Sequence, residues 1–536
     1  MTAHPGHERA AGGSEERRAA IERLLAEAGL RPAGRRGRIL PLEGLSARLA
    51  RTLPDAGPVF AAFGLYLAGR PDVLPAPACL ELSAIPDRGP ALTAEALDAC
   101  LRRELAAEPT QVFRTLDPQP FVSRLWSQSH RAVTAAGARV VVTLVRPEAE
   151  EALAADLALL PLLLPAVATL DPLSHPGEIL EAFRRHQDGD LDQTSHAAAL
   201  AEIAAEAPEM LVVPRVETPL GTPRLLVRED LGGRPLAEAA VRAPAAGDSG
   251  DAVRRTCLLW LRQAFVGRSC PAELGPYDVE VLPDGAVAFV GGPLLRPPVA
   301  VQEHLWEHLV ATLGDDPAAA GDRLLREVER QPEALDEADL LLRMRQVVPF
   351  RDGAWSQAGD SLPEQLFAYW RLARECGYRL RSPALRVVRG LAALALLGRR
   401  LAPGRDPLRE GVEELRLARG LGRLREAVSV ENLGKELLPY AHLMLSLPQK
   451  VDALLSMLAR GEARVRLETE ERDRPGAGGV VAVAVAAAAV AVALVLGRAF
   501  EPVLVDGAGQ RIAEGASALL LLVAGGLLLR AASRSG

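Results

Sequence analysis

The sequence predicts an α+β protein: a small strand-bearing core set between long helical flanks, closed by two apolar helices at the C-terminus. Three observations carry this. Strand signals concentrate in one stretch, where the β-branched run VVVTLV at residues 140–145 and the alternating VEVLPDGAVAFV at 279–290 both lie. Outside that stretch apolar residues recur at helical spacing, as Leu42, Leu45 and Leu49 do after Ile39. Two runs free of charge, 476–497 and 515–529, end the chain.

The elements follow in order. Residues 1–38 read as a polar, peripheral tail with a short amphipathic helix around 19–30. Residues 39–132 read as a helical extension with a Pro-rich turn at 71–77. The core is expected over 133–330. A strand at 137–147 follows a Gly turn and stops at Pro147, and a helix follows over 148–160. Strand segments at 210–216 and 224–229 flank the turn Pro219-Leu-Gly-Thr-Pro, and a helix covers 251–266. A hairpin at 279–290 turns on Pro283-Asp-Gly. Residues 331–475 return to helices.

Residues 476–536 read as a membrane hairpin. A bilayer core needs about 20 apolar residues per helix. The first run meets that length, and the second does so by recruiting Ile512 and Ala513. Arg466, Arg472 and Arg474 precede the pair and Arg530 and Arg534 follow it, which places both ends in the cytoplasm, although Arg498 and Arg511 in the loop weaken the asymmetry. The alternative for these runs is a pair of core helices.

A net charge of −7 argues against nucleic acid as the main partner, since phosphate binding needs concentrated basic charge. Five cysteines with no CxxC pair suggest neither a disulfide framework nor a zinc site, and fit a reducing compartment. The charged N-terminus offers no apolar signal region. Of 62 basic residues only Lys435 and Lys450 are lysine, a bias expected of GC-rich coding. Whatever its origin, no chemistry that needs a lysine can operate in residues 1–434.

Strand, helix, two strands, helix, hairpin is the order of a bilobal protein-kinase-like core. The segments GRPDVLPAPACLELSAIPDRGP (69–90), VVVTLVRP (140–147), LLVREDLGGRPL (225–236) and VLPDG (281–285), with the terminal hairpin, are similar to motifs of the UbiB-like (AarF-type) atypical kinases. The resemblance covers roughly residues 40–536. It implies ATP and Mg²⁺ as the family's cofactors, and a site built on a strand lysine, a helix carboxylate, a catalytic-loop Asp and Asn, and a further metal-binding Asp.

Carried over residue by residue, that site is degenerate. The strand lysine falls on Thr143 and the helix carboxylate on His196. The loop PAELGPYD puts Glu273 at the catalytic Asp and Asp278 at the metal-binding Asn, and the metal-binding Asp becomes Gly291. The family's Lys-x-Gly-Gln motif becomes Ala62-Phe63-Gly64-Leu65. Its alanine-rich phosphate loop becomes SRLWSQSHRA at 123–132, with bulky Arg124, Leu125 and Trp126. Losing one transition-state charge contact costs about 3–4 kcal/mol. Several are absent together, so the resemblance implies a pseudokinase with no catalytic residues and no cofactor. A vestigial nucleotide pocket would remain at Gln128, Thr143, Glu229 and Asp278, with Asp278 at best a metal ligand.

The setting the family implies is the bacterial inner membrane, with the soluble part on the cytoplasmic side. The partners it implies are membrane lipid or isoprenoid quinone pathway components, with homo- or hetero-oligomers left open and no nucleic acid. The competing readings are a divergent ATP-dependent kinase or ATPase using Glu273 and Asp278, and a membrane-sensing module built on the hairpin and the amphipathic stretch 408–465. An open cleft favours nucleotide binding; one filled by Trp126, Phe63 and Leu65 excludes it. His304 and His308 have a zinc-compatible i, i+4 spacing but no third ligand, and read as surface histidines.

Overall fold

The computed structural model describes residues 5–30, 40, 43–170, 176–207, 210–242, 248–347 and 361–427. The chain divides into two units, Met1–Ser429 and Val430–Gly536, and the second lies outside the described residues. The expected membrane hairpin at 476–536 falls there, as does most of the amphipathic stretch at 408–465. Among the described residues no single helix is long and apolar enough to cross a membrane.

The first helix, α1 (Pro5–Glu27), corrects the expectation of a peripheral tail. Its Ile21 and Leu25 are buried, as is Leu30 beyond its end. Ile21 and Leu25 stand at i, i+4 and form one apolar stripe on an otherwise polar helix. Arg17 donates to both Asp156 oxygens and to the Ala56 carbonyl. Next come α2 (Leu45–Ala56), α3 (Pro58–Ala68), α4 (Ala76–Ser83), α5 (Ala94–Leu105) and α6 (Pro109–Val112). Helix α3, PVFAAFGLYLA, is apolar on nearly every side and buried. A Cβ at Gly64 would overlap Ile85 and Leu53. The glycine that survives from the Lys-x-Gly-Gln position is therefore required by close packing.

The sheet begins earlier than expected, inside the stretch assigned to helices. Strands β1 (Phe113–Leu116), β2 (Val122–Ser123), β3 (Ser127–Thr134) and β4 (Arg139–Val145) lead to α7 (Ala149–Leu157), a 3₁₀ turn (Leu160–Leu163), α8 (Leu164–Leu170), α9 (Pro176–Leu191) and α10 (Gln193–Glu206). In β3 the deeply buried alternate positions include Gln128 and His130. Polar residues at inward positions hide the period-2 apolar signal that identifies a strand.

Strands β5 (Leu211–Val212) and β6 (Leu225–Glu229) do not pair as a hairpin. β6 joins the first sheet, ordered β1-β3-β4-β6 with β2 on β3. β5 runs parallel to the hairpin strand in a second sheet. That second sheet contains β7 (Arg234–Pro235), β9 (Val279–Val281) and β10 (Val287–Phe289), while β8 (Cys270–Pro271) pairs with β11 (Leu294–Leu295). Helices α11 (Leu236–Arg242) and α12 (Asp248–Phe265) lie between β7 and β8.

The rest is helical. It comprises α13 (Val299–Leu313), α14 (Pro317–Leu325), α15 (Glu337–Gln346), α16 (Leu362–Glu375), α17 (Ser382–Leu401) and α18 (Pro407–Ala427). The one interruption is the small pair β12 (Val328–Arg330) and β13 (Tyr378–Leu380). Trp260, Trp370, Phe60, Phe183 and Phe289 anchor the main core. His308 is part of that core and not a surface residue. Its Nδ1 faces the Ala320 carbonyl at 2.8 Å, and its Nε2 accepts from Trp370 Nε1 at 3.2 Å. Its neighbour His304 pairs with Glu327 at 2.6 Å.

A candidate ligand cleft closed to metal by arginines

The first sheet, α3, α9, α10, α17 and the loop after β8 enclose a cavity of about 530 Å³. Leu65 and Trp126 line it without filling it. Phe63 is fully buried elsewhere, packing edge-on against Phe183 at 5.2 Å. The cleft is therefore open, with a volume inside the range of small-molecule sites.

Strand alternation decides which predicted residues reach it. Thr143 of β4 does, with its hydroxyl 2.9 Å from Ser129 Oγ on β3. Leu226 and Arg228 of β6 share that face. Gln128 does not belong to the pocket: it sits one residue out of phase and turns into the opposite core. There its Oε1 accepts from Leu92 N at 3.0 Å and its Nε2 lies 2.8 Å from His130. Burial draws the His130 ring below its ordinary pKa, against the Asp117 carbonyl contact. Glu229 is out of phase as well, at 3.2 Å from Arg215 on the outer side of β6. His196, on the α10 wall, does line the cavity, and its buried Nε2 meets no partner among the described residues.

The loop carboxylates are all present and all engaged. Glu273 lies 2.9 Å from Arg389 Nη2 of α17 through both oxygens. Burial pushes the Glu273 carboxyl up, but Arg389, with His186, outweighs it and holds the group below the usual range. The Arg389 guanidinium also stacks 4.3 Å over the Tyr66 ring of α3. Asp278 is 7% exposed and accepts from Arg124 Nη1 at 2.7 Å and from Gly275 N at 2.9 Å. Arg124 reaches back to Asp87, Nε to Oδ2, at 2.7 Å. Glu280 of β9 accepts from Arg228 at 2.6 Å, with both residues under 5% exposed. At Gly291 a Cβ would stand 2.8 Å from Asp278 Oδ1, so a side chain there would displace the carboxylate.

A hard cation needs several oxygen ligands free to converge. Here the positive charge opposite Asp278 is a guanidinium, and one Asp278 oxygen is already held by a backbone N–H. Among the described residues no three His, Cys, Asp or Glu side chains gather as a metal site would require. The residues present do not fit Mg²⁺. The sequence showed Arg124 only as bulk. The arginine-to-carboxylate pairings, and the cavity positions of Gln187, Arg228 and Glu280, were not anticipated. One signal was available: alternation in LLVRE places Leu226 and Arg228 on a common face.

Residues 84–289 match the family model described as ABC1 atypical kinase-like domain. A probable protein kinase UbiB of Pseudomonas entomophila is 32% identical over 240 residues, which is 44% of this chain and 45% of that protein. One from Pseudomonas putida F1 is also 32% identical over 240 residues, 44% of each. One from Cellvibrio japonicus is 29% identical over 239 residues, 44% of this chain and 43% of that one. The chain thus spans under half the length of the curated relatives it matches. The solved erythromycin complex of Rv3197 from Mycobacterium tuberculosis aligns over 74% of this chain and 99% of that one, at 19% identity and a TM-score of 0.38. The matched residues run from the segment before the first sheet to β10 and bound most of the cleft, and over them the chain carries an ABC1 atypical kinase-like domain similar to that of the UbiB-type kinases.

Proposed function

We propose that this chain is a UbiB-type pseudokinase, a binding or scaffolding protein anchored by residues 476–536 in the bacterial inner membrane with its kinase-like unit on the cytoplasmic side. Its family points to isoprenoid quinone or lipid metabolism as the setting. The observation that carries the reading is the neutralised cleft. Glu273, Asp278 and Glu280 are each taken by an arginine, Thr143 stands where a phosphate-binding lysine would be, and no lysine precedes Lys435. Phosphoryl transfer works by positioning metal and charge around the phosphates, and these residues leave no carboxylate available for the metal.

The openness of the cavity supports a second reading, a divergent ATPase in which Mg²⁺–ATP displaces Arg124 from Asp278. Thermal unfolding of the full-length protein with ATP and Mg²⁺ separates the two. The pseudokinase reading expects no Mg²⁺-dependent stabilisation and no ATP turnover above that of Asp278→Ala. A Mg²⁺-dependent shift that disappears in Asp278→Ala would refute it. Anchoring is tested by truncation at residue 475: the fragment should leave the membrane fraction.

A further inference from the structure

At the rim of the cleft, two arginines meet no carboxylate among the described residues. Arg88 donates from Nε to the Tyr277 hydroxyl at 3.2 Å. Arg400, at the end of α17, donates to the Ser83 carbonyl and interacts electrostatically with the same Tyr277. Both side chains are exposed, and both line the cavity. Glu238 acts on Arg88 through space without an ion pair between them, and Asp87 beside Arg88 is held by Arg124. Like charges gathered around one phenol are unfavourable unless something neutralises them. Guanidinium forks match phosphate and carboxylate oxygens.

A second observation lies inside. Gln187 of α9 is 2% exposed and lines the cavity, yet its Oε1 has no hydrogen-bond partner among the described residues. A buried acceptor in that position calls for a donor from whatever enters. Leu65 of α3 and Leu396 and Leu397 of α17 give the cavity an apolar stretch of wall.

We propose that the cleft binds an amphipathic organic anion without a metal: a phosphate or carboxylate group on Arg88 and Arg400 beside Tyr277, an apolar body along α17, and a hydroxyl or N–H reaching Gln187. This rests on the pseudokinase reading and names the ligand class for that same cleft. Arginine, not a bound cation, supplies the positive charge, and the carboxylates deeper in the cleft are already neutralised.

The test is calorimetric titration of full-length protein in neutral detergent with EDTA. The probes are 1-naphthyl phosphate and 1-naphthoate, with 1-naphthol as the uncharged control. At least one anion should bind more tightly than 1-naphthol, and added Mg²⁺ should leave its affinity unchanged. The tighter anion identifies the group as a phosphate ester or a carboxylate. In the R88Q/R400Q double variant affinity should fall at least about tenfold, because two charge-assisted contacts are lost. The unfolding temperature should barely move, since both side chains are at the surface. Equal affinity in wild type and double variant overturns the proposal, as does 1-naphthol binding at least as tightly as both anions. Separately, ATP stabilising the protein only with Mg²⁺ and only while Asp278 is intact would refute the pseudokinase reading, while the naphthyl comparison would still decide the anion site.

Discussion

Replacing Arg124 by alanine should make the protein's stability more responsive to divalent cations than that of the wild type. Arg124 bridges Asp87 and Asp278, each at 2.7 Å, and the three side chains are 32%, 20% and 9% exposed respectively. Exposed pairs contribute about 0–1 kcal/mol, while breaking a buried pair costs about 3–5 kcal/mol. The bridge lies between these limits, so Arg124→Ala should cost about 2–3 kcal/mol. It leaves a nearly buried Asp278 carboxylate facing Asp87 with no cation between them. A carboxylate pair of about millimolar affinity, exposed to about 10 mM Mg²⁺, would recover RT ln 11, or about 1.4 kcal/mol. The assay is urea unfolding of wild type and variant with MgCl₂ against NaCl of matched ionic strength. A Mg²⁺ response equal in both proteins, or a loss below about 0.5 kcal/mol in the variant, would refute the assignment of Arg124 as the internal replacement for a metal.

Two further predictions follow from buried charge. Arg228→Met strands Glu280 in a nearly dry site and should cost about 3–5 kcal/mol, whereas the double change Arg228→Met with Glu280→Leu should recover most of that; denaturant midpoints of the three proteins check it. His308 is fully buried, and burial pulls its pKa down to about 4 against the pull of the Ala320 carbonyl. Above the unfolded value of 6.5 the ring is neutral in both states and costs nothing. Below it the unfolded chain takes the proton first, so stability falls between pH 6.5 and about 4, by roughly 3 kcal/mol in all. Unfolding curves across that window should flatten in His308→Gln, and an unchanged slope would remove His308 as the cause.

Local pattern exposed the regular elements whose neighbours in sequence are their neighbours in space. The β-branched strand forms as β4, the Pro-Asp-Gly hairpin as β9 and β10, and the helix expected at 251–266 as α12. β3 was hidden because its inward positions are Gln128 and His130, and α1 because two apolar residues in a polar helix look incidental until something packs on them. At the cleft, Thr143 and His196 lie at its wall. Gln128 and Glu229 do not, since one residue of register turns a side chain to the opposite face of a sheet.

What composition and order decided was chemical inventory: a kinase-like succession of elements and no lysine before Lys435 to hold phosphate. An inventory needs no coordinates, because a functional group absent from the chain cannot be supplied by any folding of it. Pairing was decided only in three dimensions. Glu273 meets an arginine 116 residues away, Asp278 one at 154 residues and Glu280 one at 52. Periodicity reads a few residues at a time, whereas a Coulombic contact depends on distance through space after the chain has closed those loops.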